Sequence, residues 1–551
     1  MIPNYNHEKV IRFLFKWVII TIICLTTTSC AIEQTRSDPV AIFTIEPDIV
    51  LDPNLNTPLA GLLTLTTNVS TRIKIEINSN KKNWTINLKH FATKHTIPVL
   101  GLRPDTTHTI KIHATTETGA TTTYKKSLAV TTDPLPEGFP SIDVTSEPGK
   151  MEPGYTLIEV IPEASKNKEF GALIIIVDNA GEVVWYTTGS RFTDVRQLAN
   201  GNLTFLTGNT AKVTNMLGDV IKEWRARKFG KPTKGVVATR GFHHELFPME
   251  NGNFLSLSVE ARNILNFPTS ETNAKALKEK TLVAGDLIVE FDSDGTIVNS
   301  WSMLKMLQPQ RIGFGSLGGF WNSVLRGKET KDWSHGNAVT HQPNDDSIIA
   351  TLRHQDTTVK FSRKTGKIIW ILSPLANWDK DRFGKYLLKP KTDDGYFFPY
   401  HHHAHETMPN GNLMLYDNGS YGASPFNEQP RRAESFSRAV EYKINEKTKQ
   451  AEIAWQYGQH AENIYYSGAL GDADYQPQTG NVLITHGSLL SKEKLNSAVV
   501  IEVTHTTPGK EVFKMTVYDK APEPDGGWRV YRAERIPDLY SQDALIQSLK
   551  E

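Results

Sequence analysis

A chain of 551 residues exceeds what one ordinary core organises, so it needs two domains or one large β-architecture. With 61 Lys+Arg against 60 Asp+Glu the net charge is +1, which excludes the global positive field that gathers nucleic acid or an anionic membrane face and leaves small or neutral partners. The two cysteines, Cys24 and Cys30, both lie near the N-terminus, so the rest of the chain must be held by packing without a disulfide.

In chain order, Lys9, Arg12 and Lys16 precede the apolar run from Trp17 to Leu25. That run is short for a bilayer span and has the layout of a secretory signal over residues 1–30. The box Leu25-Thr26-Thr27-Thr28-Ser29-Cys30 resembles a bacterial lipoprotein cleavage site, with Thr27 where an aliphatic residue is usual. Cys30 is then the lipidated residue, and the expected address is the periplasm, anchored to a membrane. A plain signal peptide or an uncleaved N-terminal anchor is the alternative. Residues 31–40 read as a polar tether. From 41 to about 135 the chain is Thr-rich and alternates with period two, as in Thr71-Arg72-Ile73-Lys74-Ile75-Glu76-Ile77, which marks half-buried strands. The stretch Leu102 to Ile112 with Thr116-Glu117-Thr118-Gly119 resembles a fibronectin type III strand pair and turn, so a small N-terminal β-sandwich of fibronectin or Ig-like type is expected.

From residue 150 to 551 the chain repeats itself. One unit is a tight turn followed by apolar alternation, at Asn200-Gly201, Asn251-Gly252, Asn344 to Asp346, Asn410-Gly411 and Thr479-Gly480-Asn481. The other is a turn leading to an aromatic residue at a strand end, ending at Trp185, Trp224, Trp301, Trp370, Trp455 and Phe513. Six of the second kind against five of the first imply that the sheet containing Trp185 takes a strand from elsewhere, and Trp528 to Ile536 is the donor expected. The fold class predicted is all-β, a six-bladed β-propeller preceded by the sandwich, with inner hairpins holding the Asn-Gly turns and outer hairpins the aromatics. Insertions at 263–283, 305–333 and 373–398 are expected to rim one mouth of the channel. A β-sandwich array is the alternative architecture.

Histidines recur at related places in the repeats. His244 lies seven residues before Asn251, His403 seven before Asn410, and His335 nine before Asn344. Innermost strands converge on a propeller's axis, so these three imidazoles should meet there with Arg353 and the amide of Asn337. Imidazoles can bind a transition metal, and strand alternation would put His401, His403 and His405 on one face and His402 on the other. Arg353 is a poor neighbour for a dication and favours an anionic group instead, which a neutral histidine could attack and a guanidinium could clamp.

Pro153-Gly154-Tyr155-Thr156-Leu157, Asp178 to Trp185, His243-His244-Glu245, Asp332-Trp333-Ser334-His335-Gly336-Asn337, Arg353-His354-Gln355, His403 through Asp417-Asn418-Gly419, and Tyr531-Arg532-Ala533-Glu534-Arg535 resemble the bacterial arylsulfate sulfotransferase family, which does not use the nucleotide sulfate donor. The resemblance implies a ping-pong route from an aryl sulfate donor to a phenolic acceptor. His403 would be the nucleophile, His335 the proton carrier, and His244, Asn337 and Arg353 the groups holding the sulfuryl oxygens. Ser467 is the candidate for a further hydroxyl from the fifth blade. A register shift of two would put a neighbour of His403 in its place. No cofactor and no metal are expected. The expected partners are the donor and acceptor, a membrane through the lipid anchor and no nucleic acid, with a homodimer left open. Well-known members have a disulfide near the channel, for which this chain has no cysteines. His341, His354 and His486 are expected to be structural. The competing readings are a non-catalytic lipid-tethered binding propeller and a metal-dependent hydrolase or lyase.

Overall fold

The computed structural model describes residues 40–163, 171–229, 233–392, 397–430, 434–490, 496–520 and 526–540. The leader, Cys30 and the tether as far as residue 39 lie outside the described residues.

Alternation in the N-terminal region produces strands with one wet and one dry face. Gly61–Asn78 is the spine of a seven-stranded sheet. Its first half pairs with Phe43–Leu51 and Ala92–Val99, and its second half with Asn83–Asn87 and Thr106–Thr116. A shift of register between Thr66 and Thr71 lets one strand serve both layers of the sandwich. Leu63, Leu65, Ile73, Ile75, Ile77, Ile97, Ile110 and Ile112 fill the space between them.

Six further sheets of four or five strands follow among the described residues. Their innermost strands are Trp528–Ile536, Thr193–Gln197, His243–Pro248, Gly336–Gln342, His403–Thr407 and Asp472–Tyr475. Each lies beside the innermost strands of the sheets before and after it, and Asp472–Tyr475 returns to Trp528–Ile536, so the six form a closed ring, the layout of a β-propeller. The tight turns connect first to second strands, and the aromatic turns connect third to fourth strands, as the repeats predicted. Gly201, Gly252, Gly411 and Gly480 have φ between 74° and 84°, the left-handed conformation that such hairpin turns require.

Chain ends interlock across the closure. Trp528–Ile536 pairs with Tyr155–Pro162, as the turn imbalance predicted. Ser141–Ser146, which the sequence reading leaves between the two domains, pairs with Glu511–Tyr518 and completes the sixth sheet. The outer aromatics do more than pack. The indole N–H of Trp185 donates to the Met216 carbonyl (2.8 Å), that of Trp224 to Ser293 (3.1 Å) and that of Trp455 to Thr506 (2.9 Å), each a carbonyl in the outer turn of the next sheet. Trp370 donates to the Glu446 carboxylate (3.0 Å) in the same relative place. A buried indole needs such a partner, and here each one pins a sheet to its successor.

Two expectations need correction. Residues 263–283 are not a free loop: Phe254–Pro268 and Lys278–Phe291 continue as a paired hairpin well past the barrel wall, because Phe267 remains buried. Arg353, read from the sequence as lying on the return strand of the His335 hairpin, is not in a strand either. It starts a 3₁₀ turn, Arg353–Gln355, just after Ser347–Leu352, and Asp356 ends that turn in the left-handed region (φ 47°).

Candidate active site

The first strand of each sheet from the second to the sixth is either interrupted or immediately preceded by a residue in the left-handed region. Asp194, His244, His335, Ala404 and Leu470 all have φ between 38° and 62°. Register shifts accompany them at His243/Leu246, Gly336/Ala338 and His403/His405. A left-handed non-glycine residue costs about 1 kcal/mol or more, and bulges re-aim side chains that regular alternation would send elsewhere.

That local break overturns the expected shared face of His401, His403 and His405. His401 sits ahead of the strand, with Nδ1 2.9 Å from the Asp356 carboxylate and Nε2 3.0 Å from the Phe314 carbonyl. His405 faces Thr340 (2.9 Å) and Thr351 (2.8 Å) deeper in the ring. His402 contacts the Thr358 hydroxyl (2.7 Å). His401 and His405 thus have both ring nitrogens engaged, whereas His403 contacts Asn418 through Nδ1 alone, at 2.6 Å from Oδ1.

Asn418 fixes the state of that ring. Its Nδ2 donates to the carbonyls of Ser467 (2.7 Å) and Leu470 (2.8 Å), which leaves Oδ1 as the acceptor facing His403. The Nδ1–H of His403 must therefore be the donor, and Nε2 keeps its lone pair. Burial, with the nearby Arg353 guanidinium adding to it, holds His403 well below the ordinary histidine range, so the ring is neutral.

The other predicted residues gather around it. The His244 and His335 rings are 5.1 Å apart, and both are close enough to His403 for their charges to be felt there or to feel its charge. His335 Nδ1 is 2.5 Å from Asp332 Oδ2, and burial plus Arg353 push His335 down to about 3. The contact is a hydrogen bond from a neutral imidazole to a carboxylate, and it presents Nε2 of His335 as a base. Asp332 is itself held by the Trp321 indole (2.8 Å), and burial raises it to about 6. Arg353 donates from Nη2 to the Gly468 carbonyl (3.1 Å), while its buried Nε has no partner among the described residues. Asn337 uses one N–H of Nδ2 on the His402 carbonyl (2.9 Å), fixing the backbone ahead of His403, and retains the other.

Ser467 is a correction. Its Oγ donates to the Ala469 carbonyl (2.9 Å) and accepts from Ser488 N (3.0 Å), so the hydroxyl is committed to the turn. Ser467 serves the site through its carbonyl, which holds Asn418.

Several contributors escaped the sequence reading. Asp332 orients His335. His354, expected to be structural, has its ring 4.6 Å from that of His335 and donates to the Asp332 carbonyl (2.8 Å). The support underneath is Arg532, which is buried and bonded to Asp194 (2.6 Å), Glu245 (2.8 Å) and the Asn337 carbonyl (3.1 Å). Burial opposes its charge, but Glu245 and Asp194 outweigh that and hold the guanidinium above its ordinary range. Their signal was available in the motifs Asp332 to Asn337 and Tyr531 to Arg535, but spacing alone assigns such residues no partner. His486 bonds the Tyr416 hydroxyl (2.8 Å) and His341 the Asp346 carboxylate (3.0 Å), both structural pairings.

Asp332, His335 and His354 are close enough to be compared with a metal site. An ion at ~2.0–2.2 Å from each ligand needs those atoms roughly 3 Å apart, whereas Asp332 Oδ2 and His335 Nδ1 are 2.5 Å apart and bonded to one another. Their geometry is that of an oriented base. A cavity of about 620 Å³ opens at the other mouth, lined by Arg196, Glu406, Asp472 and Arg532 among others and by none of the six residues predicted for the site.

Comparison with known proteins bears on this arrangement. The Arylsulfotransferase (ASST) family model matches residues 122–529, and the Arylsulfotransferase Ig-like domain matches 48–133. Arylsulfate sulfotransferase AssT of Lelliottia amnigena is 24% identical over 535 residues, covering 80% of this chain and 85% of its own. The AssT of Escherichia coli O6:H1 is 26% identical over 368 residues, 57% of each chain. Among solved structures, an apocarotenoid oxygenase of Synechocystis covers 72% of this chain and 96% of its own at 10% identity and a TM-score of 0.32, too distant to carry an argument. Since the family model covers well over half of the chain, including His244, His335, Arg353 and His403, the chain belongs to the arylsulfotransferase family of enzymes.

Proposed function

We propose that this enzyme moves a sulfuryl group from an aryl sulfate to a phenol in two displacements, through a sulfated His403. The observation supporting this most strongly is the fixed tautomer of His403, a neutral imidazole with Nδ1–H bound to Asn418 and Nε2 without a hydrogen-bond partner among the described residues. In the first displacement Nε2 attacks sulfur, the N–S bond forms, and the sulfur–oxygen bond to the aryl group breaks with its electrons leaving on the phenolate. The transition state is loose, so the protein's task is positioning and stabilising charge on the sulfuryl oxygens. Arg353 supplies the donors for that, with His244 and the free N–H of Asn337 beside it.

His335 moves the proton. Its depressed pKa belongs to a site with Arg353 uncompensated, and a bound sulfate ester offsets that charge and raises His335, so Nε2 can bring a proton to the phenolate. In the second displacement Nε2 takes the proton from the acceptor phenol, the phenol oxygen attacks sulfur, and the N–S bond breaks to return the lone pair to His403. Release of 4-nitrophenol from its sulfate ester should be slow in water and strongly accelerated by phenol, with phenyl sulfate as the co-product. Equal rates with and without phenol would mean hydrolysis and overturn the transfer. Export and lipidation at Cys30 complete the proposal; a Cys30→Ser variant should lose both incorporation of labelled palmitate and membrane association.

A further inference from the structure

His401 and Asp356 touch no reacting atom in the two displacements, yet each adjoins a group that does. Asp356 closes the turn that begins at Arg353, where its N–H donates to the Arg353 carbonyl (3.1 Å). His401 precedes His403 by two residues. Both Asp356 and His401 are buried, with 1% and 0% of their surface exposed. One oxygen of Asp356, Oδ1, accepts the backbone N–H of His401 (2.8 Å) and faces Nδ1 of the same residue (2.9 Å). Through that atom the turn holding the sulfuryl clamp is tied to the segment that enters the nucleophile's strand.

The protons on this contact can be counted. On its far side the His401 ring meets the Phe314 carbonyl (3.0 Å), which only accepts, so Nε2 carries a hydrogen. Between Nδ1 and Oδ1, 2.9 Å apart, one further proton is needed, from one side or the other, or two lone pairs would face each other. The two residues therefore share it, as imidazolium with carboxylate or as imidazole with carboxylic acid, and the pair has no net charge in either form. Burial raises Asp356 to about 7 and holds His401 well below the ordinary histidine range, both of which favour the second form. Neutrality matters here, because Arg311 and Arg353 both lie close enough for Asp356 to feel their charge. A bare carboxylate would compete with the sulfuryl oxygens for Arg353, whereas a neutral pair fixes the backbone and leaves that charge to the substrate. The backbone adds to the picture: φ is 47° at Asp356 and 53° at His401, a region uncommon for residues other than glycine and kept only where the surroundings over-determine it.

We infer that Asp356 and His401 are positioning residues, a proton-sharing pair that sets the Arg353 guanidinium against the His403 ring. This rests on the sulfuryl-transfer reading above. In Asp356→Asn the amide oxygen still accepts the His401 N–H, but the shared proton is gone. The ring must then give up either this contact or the Phe314 carbonyl, and the clamp and the nucleophile lose their common anchor.

The test is a set of double-mutant cycles on the full chain, read as the single-turnover rate of nitrophenol release from 4-nitrophenyl sulfate without acceptor, with melting temperature as the check on folding. A displacement of about 1 Å in a reacting constellation costs on the order of 100-fold, so Asp356→Asn and His401→Gln should each slow loading ~10- to 100-fold at saturating donor. The half-saturating donor concentration should move less than about threefold, since the donor still binds and only its alignment is lost. The two substitutions together should be no slower than the slower one alone, because each residue acts through the other. In an Arg353→Gln background Asp356→Asn should cost less than about threefold, because the clamp it places is already missing. Parent-like loading in both folded variants overturns the inference, as does a loss confined to donor affinity. So does an equal loss from Asp356→Asn with and without Arg353, which is the mark of an effect on the fold at large. Failure of both variants to fold assigns the pair to the fold itself and overturns it equally. If the parent chain releases no nitrophenol, the transfer reading fails and takes this inference with it.

Discussion

Replacing Asn418 by leucine keeps the side chain's volume and removes everything polar it does. As sulfuryl transfer to His403 proceeds, positive charge develops on the ring, and the Nδ1–H···Oδ1 contact at 2.6 Å becomes charge-assisted. Such bonds are worth about 1.5–3 kcal/mol, or roughly 10- to 150-fold in rate. The ring also loses the acceptor that selects its tautomer. The Ser467 carbonyl retains a donor in the Ser437 hydroxyl (3.3 Å), but Leu470 loses its Asn418 donor, so a stability loss of about 1–3 kcal/mol is expected as well. The assay is rapid mixing with 4-nitrophenyl sulfate and no acceptor, reading the nitrophenol burst. Asn418→Leu should slow the burst at least tenfold while its amplitude stays near one per folded chain. Asn418→Asp should keep an acceptor for Nδ1–H but raise the pKa of His403, moving the acid limb of the burst rate upward. A burst rate unchanged in folded Asn418→Leu, with an unshifted pH profile in the aspartate variant, would refute the tautomer argument.

Four further outcomes follow from the geometry. In the parent enzyme the acid limb of loading should lie well below pH 6.5, since burial and Arg353 lower His403 and the neutral nucleophile therefore persists as pH falls; a limb centred at 6.5 contradicts this. His335→Gln should slow transfer from phenyl sulfate far more than from 4-nitrophenyl sulfate, whose leaving group needs no proton, and a rate series across substituted phenyl sulfates reads the difference. Arg353→Lys should reduce kcat by ~10²–10³, the scale of losing one aimed donor at a developing charge, measured with the same chromogenic donor. Arg532→Met removes one of the two guanidiniums that the buried Asp194 and Glu245 share and leaves them only Arg196, which should destabilise the fold by ~1–3 kcal/mol and lower the melting temperature by several degrees.

The repeat of turns and aromatics was enough to read the propeller, because each turn needs a left-handed residue and each outer strand needs a large buried side chain. The closing strand Trp528–Ile536 followed from counting turns, whereas Ser141–Ser146 did not, since a six-residue strand between domains resembles any linker with period-two alternation. Histidine spacing located His244, His335 and His403 because they occupy equivalent positions in successive sheets. The same reasoning failed for His401 and His405, where a bulge at Ala404 breaks the period on which strand-face arguments rest. Asp332, Asn418 and Arg532 were legible only as letters in motifs: what they do depends on contacts with residues 3 to 338 positions away, and no spacing rule reaches that far.

The most direct test of the account is to incubate the chain with an aryl sulfate in the absence of acceptor, digest it under mildly alkaline conditions and map the added SO3 by fragmentation mass spectrometry. One SO3 on the His403 peptide, localised to that residue and discharged by phenol, is the result predicted. Nitrophenol released with the label on His401, His405 or a tyrosine, or with no labelled peptide at all, would contradict it.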